Sequence, residues 1–454
     1  MQKIYDEVAT LDRRCYERFG LSEEILMEHA ADGIADFIRA RFTKGARILA
    51  VCGSGNNGAD VLVLARLLHG DYDVKILYAK EPKSAMAKLQ AKRARLLDIP
   101  TCDAIEPCDI VVDGIVGTGF RGAFSEAIGT IVDAINASDA YVVACDVPSG
   151  YKVRADATLT MGALKKEMFL DGHKDYVGEI AVLDLGVSRD IYELDTNWML
   201  ADDNDFTPPN RVEKNTHKGS FGHLCVVSGE KSGAATLCAS AALRFGSGLV
   251  TLLSNENIRI PYELMQAHTL PANASAVALG MGLGSEYSQQ ELESFLDNSL
   301  PLLLDADIFS HPLLPTLMRR DNIVLTPHPK EFTTLLSRCD IADIDTATLQ
   351  RERFSYVERF TQRYPNATLL LKGANMIIAR NGRFFINPHG SAKLAKGGSG
   401  DVLGGLVGAL LAQGFSPLEA ALQGSLALTR AAAIYTGNDF AMTPNDVIAN
   451  LKDI

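Results

Sequence analysis

Between residues 47 and 183, short runs of β-branched and other apolar residues alternate with longer stretches whose apolar positions recur at helical spacing. The runs RILAVCG, DVKILYA, DIVVDGIVG, AYVVACDV, ATLTMGA and EIAVLDLG predict buried strands, with helices between them. Asp60 to His69 shows the helical pattern well: Val61, Leu62, Leu64, Ala65 and Leu68 form a broad apolar face, and Gly70 follows as a stop. Such a rhythm predicts a parallel sheet covered by helices on both faces, with ligands bound beyond the carboxyl ends of the strands. The pattern lapses between Leu185 and Thr216, where an acidic run and Pro208-Pro209 suggest a domain boundary. It resumes as HLCVVSG, GLVTLLS, ASAVALGMG, PLLLDAD, NIVLTP and TLLLKG, followed by a hairpin expected around Asn381-Gly382 and two or three helices from Asp401 onward. The expected fold class is α/β: two three-layer αβα domains, residues 1–200 and 201–454, the first Rossmann-like.

Composition narrows the function. With 44 Lys plus Arg against 56 Asp plus Glu, the net charge of −12 supplies no broad positive field, so nucleic acid is not an expected partner. The first twenty residues, MQKIYDEVATLDRRCYERFG, carry charges throughout, and the apolar stretches at Ala234 to Leu243 and Leu403 to Ala412 are too short to span a membrane. A cytoplasmic protein with small-molecule substrates and no membrane partner is expected. The eight cysteines show no CxxC pair and read as reduced, mostly buried thiols.

Three strand ends in the first half carry candidate chemistry. Gly53-Ser54-Gly55-Asn56-Asn57-Gly58-Ala59-Asp60 matches GxGxxG, and Glu81 stands at a distance suited to a ribose, so a dehydrogenase reading is open. The Asn pair and Asp60 fit that reading poorly, because a carboxylate there would repel a pyrophosphate; amide oxygens suit a hard cation or a sugar hydroxyl. A turn that only tolerates positive φ is the plainer alternative. Asp113 precedes GTGFRGAF, a loop with backbone donors and Arg121, while Asp146-Val147-Pro148-Ser149-Gly150 ends the next strand. Asn57, Asp113 and Ser149 together could hold a monovalent cation and leave Asp146 for proton transfer. Each aspartate alone is more commonly a cap or turn residue.

In the second half, Ala395-Lys396-Gly397-Gly398-Ser399-Gly400-Asp401 opens an apolar helix. Successive N–H groups and the helix dipole there suit a phosphate, and Asp401 in the first turn is placed to take a proton from an attacking hydroxyl. Capping alone explains the aspartate but not the glycines. Gly280-Met281-Gly282-Leu283-Gly284, Thr326-Pro327-His328-Pro329 and Lys372-Gly373-Ala374-Asn375-Met376 also lie at strand ends, as do Asp305 and Asp307. His328 reads equally as a substrate contact and as a structural histidine in a Pro-fixed turn.

These motifs, in this order, carry a family resemblance over nearly the whole chain. GSGNNGAD, VDGIVGTG, CDVPSG, ATLTMGALK and GEIAVLDLG resemble the NAD(P)H-hydrate epimerase domain. HKGSFGHLCVVSG, SGAA, GMGLG, LDAD, TPHPKEF, LKGANM and AKGGSGDVLGGLVGALLAQG resemble the ADP/ATP-dependent NAD(P)H-hydrate dehydratase domain of the ribokinase-like superfamily. The resemblance implies repair of NADHX and NADPHX: epimerisation of the R and S hydrates, then dehydration of the S form with ADP or ATP and Mg2+. It implies epimerase substrate contacts at Asn56, Asn57, Gly58, Ala59, Asp60, Gly117, Thr118, Gly119, Phe120, Arg121, Gly122, Ala123 and Asp146, with K+ at Asn57, Asp113 and Ser149. In the dehydratase, Ala234, Gly282, His328 and Asp401 would meet the hydrate, and Lys372, Gly373, Ala374, Asn375, Met376 and Gly400 the nucleotide. A homo-oligomer is also implied. The chain departs from the family's pattern at Ala59 and Val61, in the shortened stretch YKVRADATL after CDVPSG, and at Met376. A small-molecule kinase fused to a non-catalytic ligand-binding domain is the rival reading, and it predicts an accumulated phosphorylated product.

Overall fold

A computed structural model describes residues 1–296 and 299–454, which divide into two compact units, Lys3–Thr196 and Met1–Gln2 with Asn197–Ile454. In the first unit all six expected strands form, joined at one edge by the short strand Thr101–Cys102. The seven lie in the spatial order Thr101–Cys102, Asp73–Tyr78, Arg47–Cys52, Ile110–Gly114, Tyr141–Cys145, Ala157–Met161, Glu179–Leu183, and every pairing is parallel.

Alternation along each strand divides the core between the two faces. Ile48, Ala50 and Cys52 pack with the helices Glu23–Arg41, Asn56–Leu68 and Ala85–Leu96, whereas Leu49 and Val51 face Ile128, Val132 and Ile135 of the helix Glu126–Asn136. The strand order reverses between Arg47–Cys52 and Ile110–Gly114, which opens a crevice at their carboxyl ends. The helix read from Asp60 begins four residues earlier, at Asn56. Its first turn crosses the strand end closely: a Cβ on Gly58 would lie 2.2 Å from the Gly53 carbonyl oxygen.

The second unit has a larger sheet of the same kind. Its central order is Met265–Ala267, Leu249–Leu253, His223–Val227, Ala276–Leu279, Leu302–Leu304, Ile323–Leu325 and Thr368–Leu371, all parallel. Met376–Arg380 and Arg383–Asn387 extend it as the expected antiparallel hairpin, with Asn381 and Gly382 both at positive φ in a two-residue turn. Trp198–Leu200, inside the stretch where periodicity lapses, pairs parallel with Arg383–Asn387 because Trp198 and Leu200 are buried. Three helices follow at Ser399–Ala412, Pro417–Ala433 and Pro444–Asn450.

Ser399–Ala412 is the central helix of one face, and its small residues let it pack without gaps. A Cβ on Gly405 would meet the Cys238 carbonyl oxygen at 2.2 Å, and one on Gly408 would meet Leu224 at 2.9 Å. Phe332 and Phe360, in edge-to-face contact at 5.8 Å, anchor helices of the opposite face. All eight cysteines are free. Among the described residues, no helix is long and apolar enough to cross a membrane.

Candidate active sites

A cavity of about 750 Å³ opens at the switch point of the first unit. Its lining includes Asn56, Asn57, Asp60, Gly117, Thr118, Gly119, Phe120, Arg121 and Asp146, so nine of the residues named from the sequence converge there. Four others stand off it. Gly58 and Ala59 are buried on the sheet side of their helix, and Gly122 and Ala123 are exposed farther along the loop. Ala59 and Val61, the two departures in this turn, therefore fill core volume; Val61 packs over Gly114.

Asp113 lies below the cavity floor, fully buried. Its Oδ1 accepts from the Ser149 hydroxyl (2.6 Å) and the Ile115 N–H (3.1 Å), and its Oδ2 accepts from the Ser149 N–H (2.8 Å). Burial pushes its carboxyl up, against these hydrogen bonds. Three donors leave about one of roughly four lone-pair sites unused, and among the described residues no cation pairs with it. The Asn57 carbonyl oxygen would lie 2.8 Å from a Cβ on Gly114, the residue after Asp113, and the Asn57 Nδ2 is buried with no hydrogen-bond partner among the described residues. An amide seen this way can equally present its oxygen. A buried carboxylate without a counter-charge, next to a neutral amide and a serine, fits a monovalent cation.

Asp146 ends its strand at φ 71°, an αL conformation that aspartate tolerates better than most residues. Its Oδ1 accepts from Lys165 Nζ at 2.6 Å and from the Met161 N–H at 3.1 Å. Lys165 is almost wholly buried and also donates to Thr160 Oγ1 at 2.7 Å. This lysine was not singled out from the sequence, although a cation closing the apolar run ATLTMGALK was the available signal. Asp12, which accepts from the Tyr192 hydroxyl at 2.7 Å, also lines the cavity and carried no motif. The shortened stretch after CDVPSG places Tyr151 flat against His173, with ring centroids 3.7 Å apart.

In the second unit the named strand ends again come together. Lys372 follows its strand and donates to Asp305 Oδ1 at 2.8 Å, with Glu331 Oε2 at 3.7 Å. Although burial opposes it, the charges of Asp305 and Glu331 hold its ammonium above the usual lysine value. A Cβ on Gly400 would lie 3.5 Å from Lys372 Nζ, so the glycine-rich loop brings its backbone against that cation. Gly398, at φ 96°, turns the chain into the helix, and Asp401 stands in the first turn where the leading N–H groups lack intrahelical partners. Burial, reinforced by Asp305 and opposed by Lys372, pushes Asp401 up to about 6.

Gly282 and Ala234 are neighbours, a Cβ on the former reaching the latter at 3.3 Å. His328 caps the helix Pro329–Arg338: Nδ1 accepts from the Glu331 N–H at 3.2 Å, and Nε2 lies 3.0 Å from Glu331 Oε1. Both ring nitrogens are thus engaged within the chain, while its face stays half exposed. Glu331, which ties His328 to Lys372, was missed; its signal was the spacing His328-x-x-Glu331 of a capping box. Met376 and Asn375 are buried, Met376 in the core of the unit, which leaves its backbone as the part available to a ligand.

Both halves of the chain match known families. Residues 224–453 match the model of the NAD(P)H-hydrate dehydratase family, and residues 23–167 that of the YjeF-related protein N-terminus. A bifunctional NAD(P)H-hydrate repair enzyme of Helicobacter pylori is 38% identical, with 100% of each chain covered. Its Escherichia coli counterpart is 31% identical over 99% of this chain and 93% of that one. Among solved structures, an ADP/ATP-dependent NAD(P)H-hydrate dehydratase from Bacillus subtilis, co-crystallized with ATP/Mg2+, is 25% identical over 55% of this chain and 94% of that one, with a TM-score of 0.48. The full-length identity to the Helicobacter pylori and Escherichia coli enzymes makes the chain a member of the bifunctional NAD(P)H-hydrate repair enzyme family.

Proposed function

We propose that residues 1–200 interconvert the R and S forms of NADHX and NADPHX, and that residues 201–454 convert the S form to NAD(P)H with ADP or ATP. The observation that carries the reading is the pairing, in one chain, of a dinucleotide-sized cavity holding an Asp-Lys pair with a glycine-rich helix start beside Asp401 and Lys372. A kinase fused to a non-catalytic ligand-binding domain would use the first of these only to bind, and would accumulate a phosphorylated product.

In the dehydratase, the hydroxyl at the hydrated carbon is a poor leaving group. Asp401 takes its proton as the oxygen attacks the terminal phosphoryl group, whose charge meets the N–H groups of the glycine-rich loop and the Lys372 ammonium. Phosphate then departs with the C–O electron pair, pushed by the ring nitrogen. Loss of a proton from the adjacent carbon restores the double bond. Asp305 and Glu331 position Lys372; Gly373 to Met376 and Gly400 frame the nucleotide, and Ala234, Gly282 and His328 the hydrate. Among the described residues no three His, Cys, Asp or Glu side chains gather to hold a metal, so Mg2+ would be held chiefly by phosphate oxygens and water.

In the epimerase, Asp146 removes the hydroxyl proton, which lets the C–N bond of the hydrated carbon open and reclose on its other face. Asn57, Asp113 and Ser149 would hold K+, which supplies fixed positive charge below the cavity. The test is recovery of reduced-nicotinamide absorbance from an R/S NADHX mixture with Mg2+ and ADP, ATP or neither. Nucleotide-dependent recovery of both forms, faster than unaided epimerisation, is expected; a stable phosphorylated product would overturn the reading.

A further inference from the structure

We propose that Asp60 is the second catalytic group of the epimerase site, the acid that protonates the ring nitrogen while Asp146 takes the hydroxyl proton. The proposal rests on the epimerase reading of the cavity and adds to it the proton partner which that chemistry requires.

Asp60 lies in the second turn of the helix Asn56–Leu68, on the wall shared by the main cavity and a side chamber of about 110 Å³. It is 6% exposed, and among the described residues no hydrogen-bond donor and no cation reaches its carboxyl. The other buried aspartates each have partners: Asp113 accepts three hydrogen bonds, and Asp305 pairs with Lys372. The titratable groups around Asp60 are Asp12 and Tyr16 on one helix, Glu23 on another, and Cys145 and Asp146 at the strand end; Lys165 is taken up by Asp146. Burial and the three neighbouring carboxylates drive Asp60 well above the usual range, toward the neutral acid. A neutral carboxyl facing a cavity is a proton donor, and Leu26, Met27 and Met161 on the side-chamber wall show that an apolar residue would pack there.

The step balances. The hydroxyl proton passes to Asp146, the carbonyl forms, the C–N pair collapses onto nitrogen, and nitrogen receives the Asp60 proton. Reclosure on the opposite face returns the nitrogen proton to Asp60 and the Asp146 proton to the oxygen, so both aspartates end as they began.

The experiment compares Asp60→Asn and Asp60→Glu with the parent full-length protein, following R to S conversion of separated NADHX epimers, S-form dehydration and thermal midpoint. For Asp60→Asn, kcat for epimerisation should fall about 10²-fold or more with KM changed less than about threefold. S-form dehydration should be unaffected, the midpoint unchanged or raised, and the Glu variant partly active. A structural carboxyl would instead lower the midpoint when removed, and that result, or a kcat within about threefold of the parent, overturns the proposal. Failure of the parent itself to outpace unaided epimerisation would remove the reading of the cavity, and the proposal with it.

Discussion

Each unit pins a lysine to an aspartate at a strand end, Lys165 buried and Lys372 partly so, but the two pairs are used differently. In the first unit Lys165 holds Asp146, the residue assigned as base, at 2.6 Å. In the second, Lys372 holds Asp305 at 2.8 Å, and the assigned base, Asp401, stands outside the pair. Asp401 pays in desolvation and rises to about 6, close to the range where a carboxylate accepts a proton well and still releases it. The lesson is that a strand-end Asp-Lys pair does not by itself identify the base, which lies inside the pair in one unit and outside it in the other. Asp60 resembles Asp401 in standing outside the pair and being raised by burial, but it serves as the acid.

The largest effect should come from breaking the unpaired side of the comparison. Asp401→Asn should lower dehydration by about 10² to 10⁴ while R to S conversion continues. In the parent, ionised Asp401 is the active form, so dehydration should fall about tenfold per unit as pH drops below about 6, and the residual activity of Asp401→Asn should lack that limb. The sign for stability is opposite. With a folded-state value above the ordinary carboxylate value, the proton stabilises the fold below that ordinary value, and this contribution is lost as pH rises through about 6. At pH 7 the Asn variant should therefore melt no lower than the parent. A variant that keeps near-normal dehydration would refute the assignment.

How much of this could be read from the sequence follows from what periodicity encodes. Strands such as Arg47–Cys52 and His223–Val227 are buried on both faces, so they read as unbroken apolar runs, and the turns after them could be placed without coordinates. Asp113 and Asp146 were legible because they end such runs, and Asp401 because it follows a glycine-rich turn at the start of an apolar helix. Lys165 was not, because its importance lies in a partner nineteen residues away that only the sheet brings near. Motif matching also cannot tell the two sides of a helix apart. In Asn56–Leu68, Asp60 faces the cavity, and its neighbour Ala59 faces the core. Trp198–Leu200 escaped notice because three residues are too few to show a period; its pairing with Arg383–Asn387 comes from the register of a distant hairpin.

A smaller effect is expected from breaking the paired side. Lys165→Met removes the partner of Asp146 and the donor to Thr160. Loss of one member of a fully buried pair typically costs about 3–5 kcal/mol. Asp146 lines the cavity and can be rehydrated, so about 1–3 kcal/mol is expected, read as a lower midpoint in denaturant. R-form clearance should drop to the unaided rate with S-form dehydration retained. If clearance survives, Asp146 does not depend on the lysine, and the parallel with Lys372 fails.

The smallest effect concerns the charge that no protein cation compensates. Asp113 is buried with three donors and no cationic partner among the described residues, whereas Asp305 in the second unit has Lys372. A monovalent cation bound there would stabilise the first unit by mass action, by about 1.4 kcal/mol at ten times its Kd, or a rise of about 3–6 °C in its midpoint. Titrating the chloride salts of potassium, sodium and tetramethylammonium at constant ionic strength separates binding from screening. Potassium should raise the midpoint and speed R-form clearance, and tetramethylammonium, too large for a space between Asn57, Asp113 and Ser149, should do neither. Asp113→Asn should abolish the potassium response, because the neutral amide no longer supplies the buried charge that draws the cation in. Equal responses to all three salts would mean that the hydrogen bonds from Ser149 and Ile115 suffice for Asp113, and that a buried strand-end aspartate needs no cation such as the Lys372 that Asp305 has.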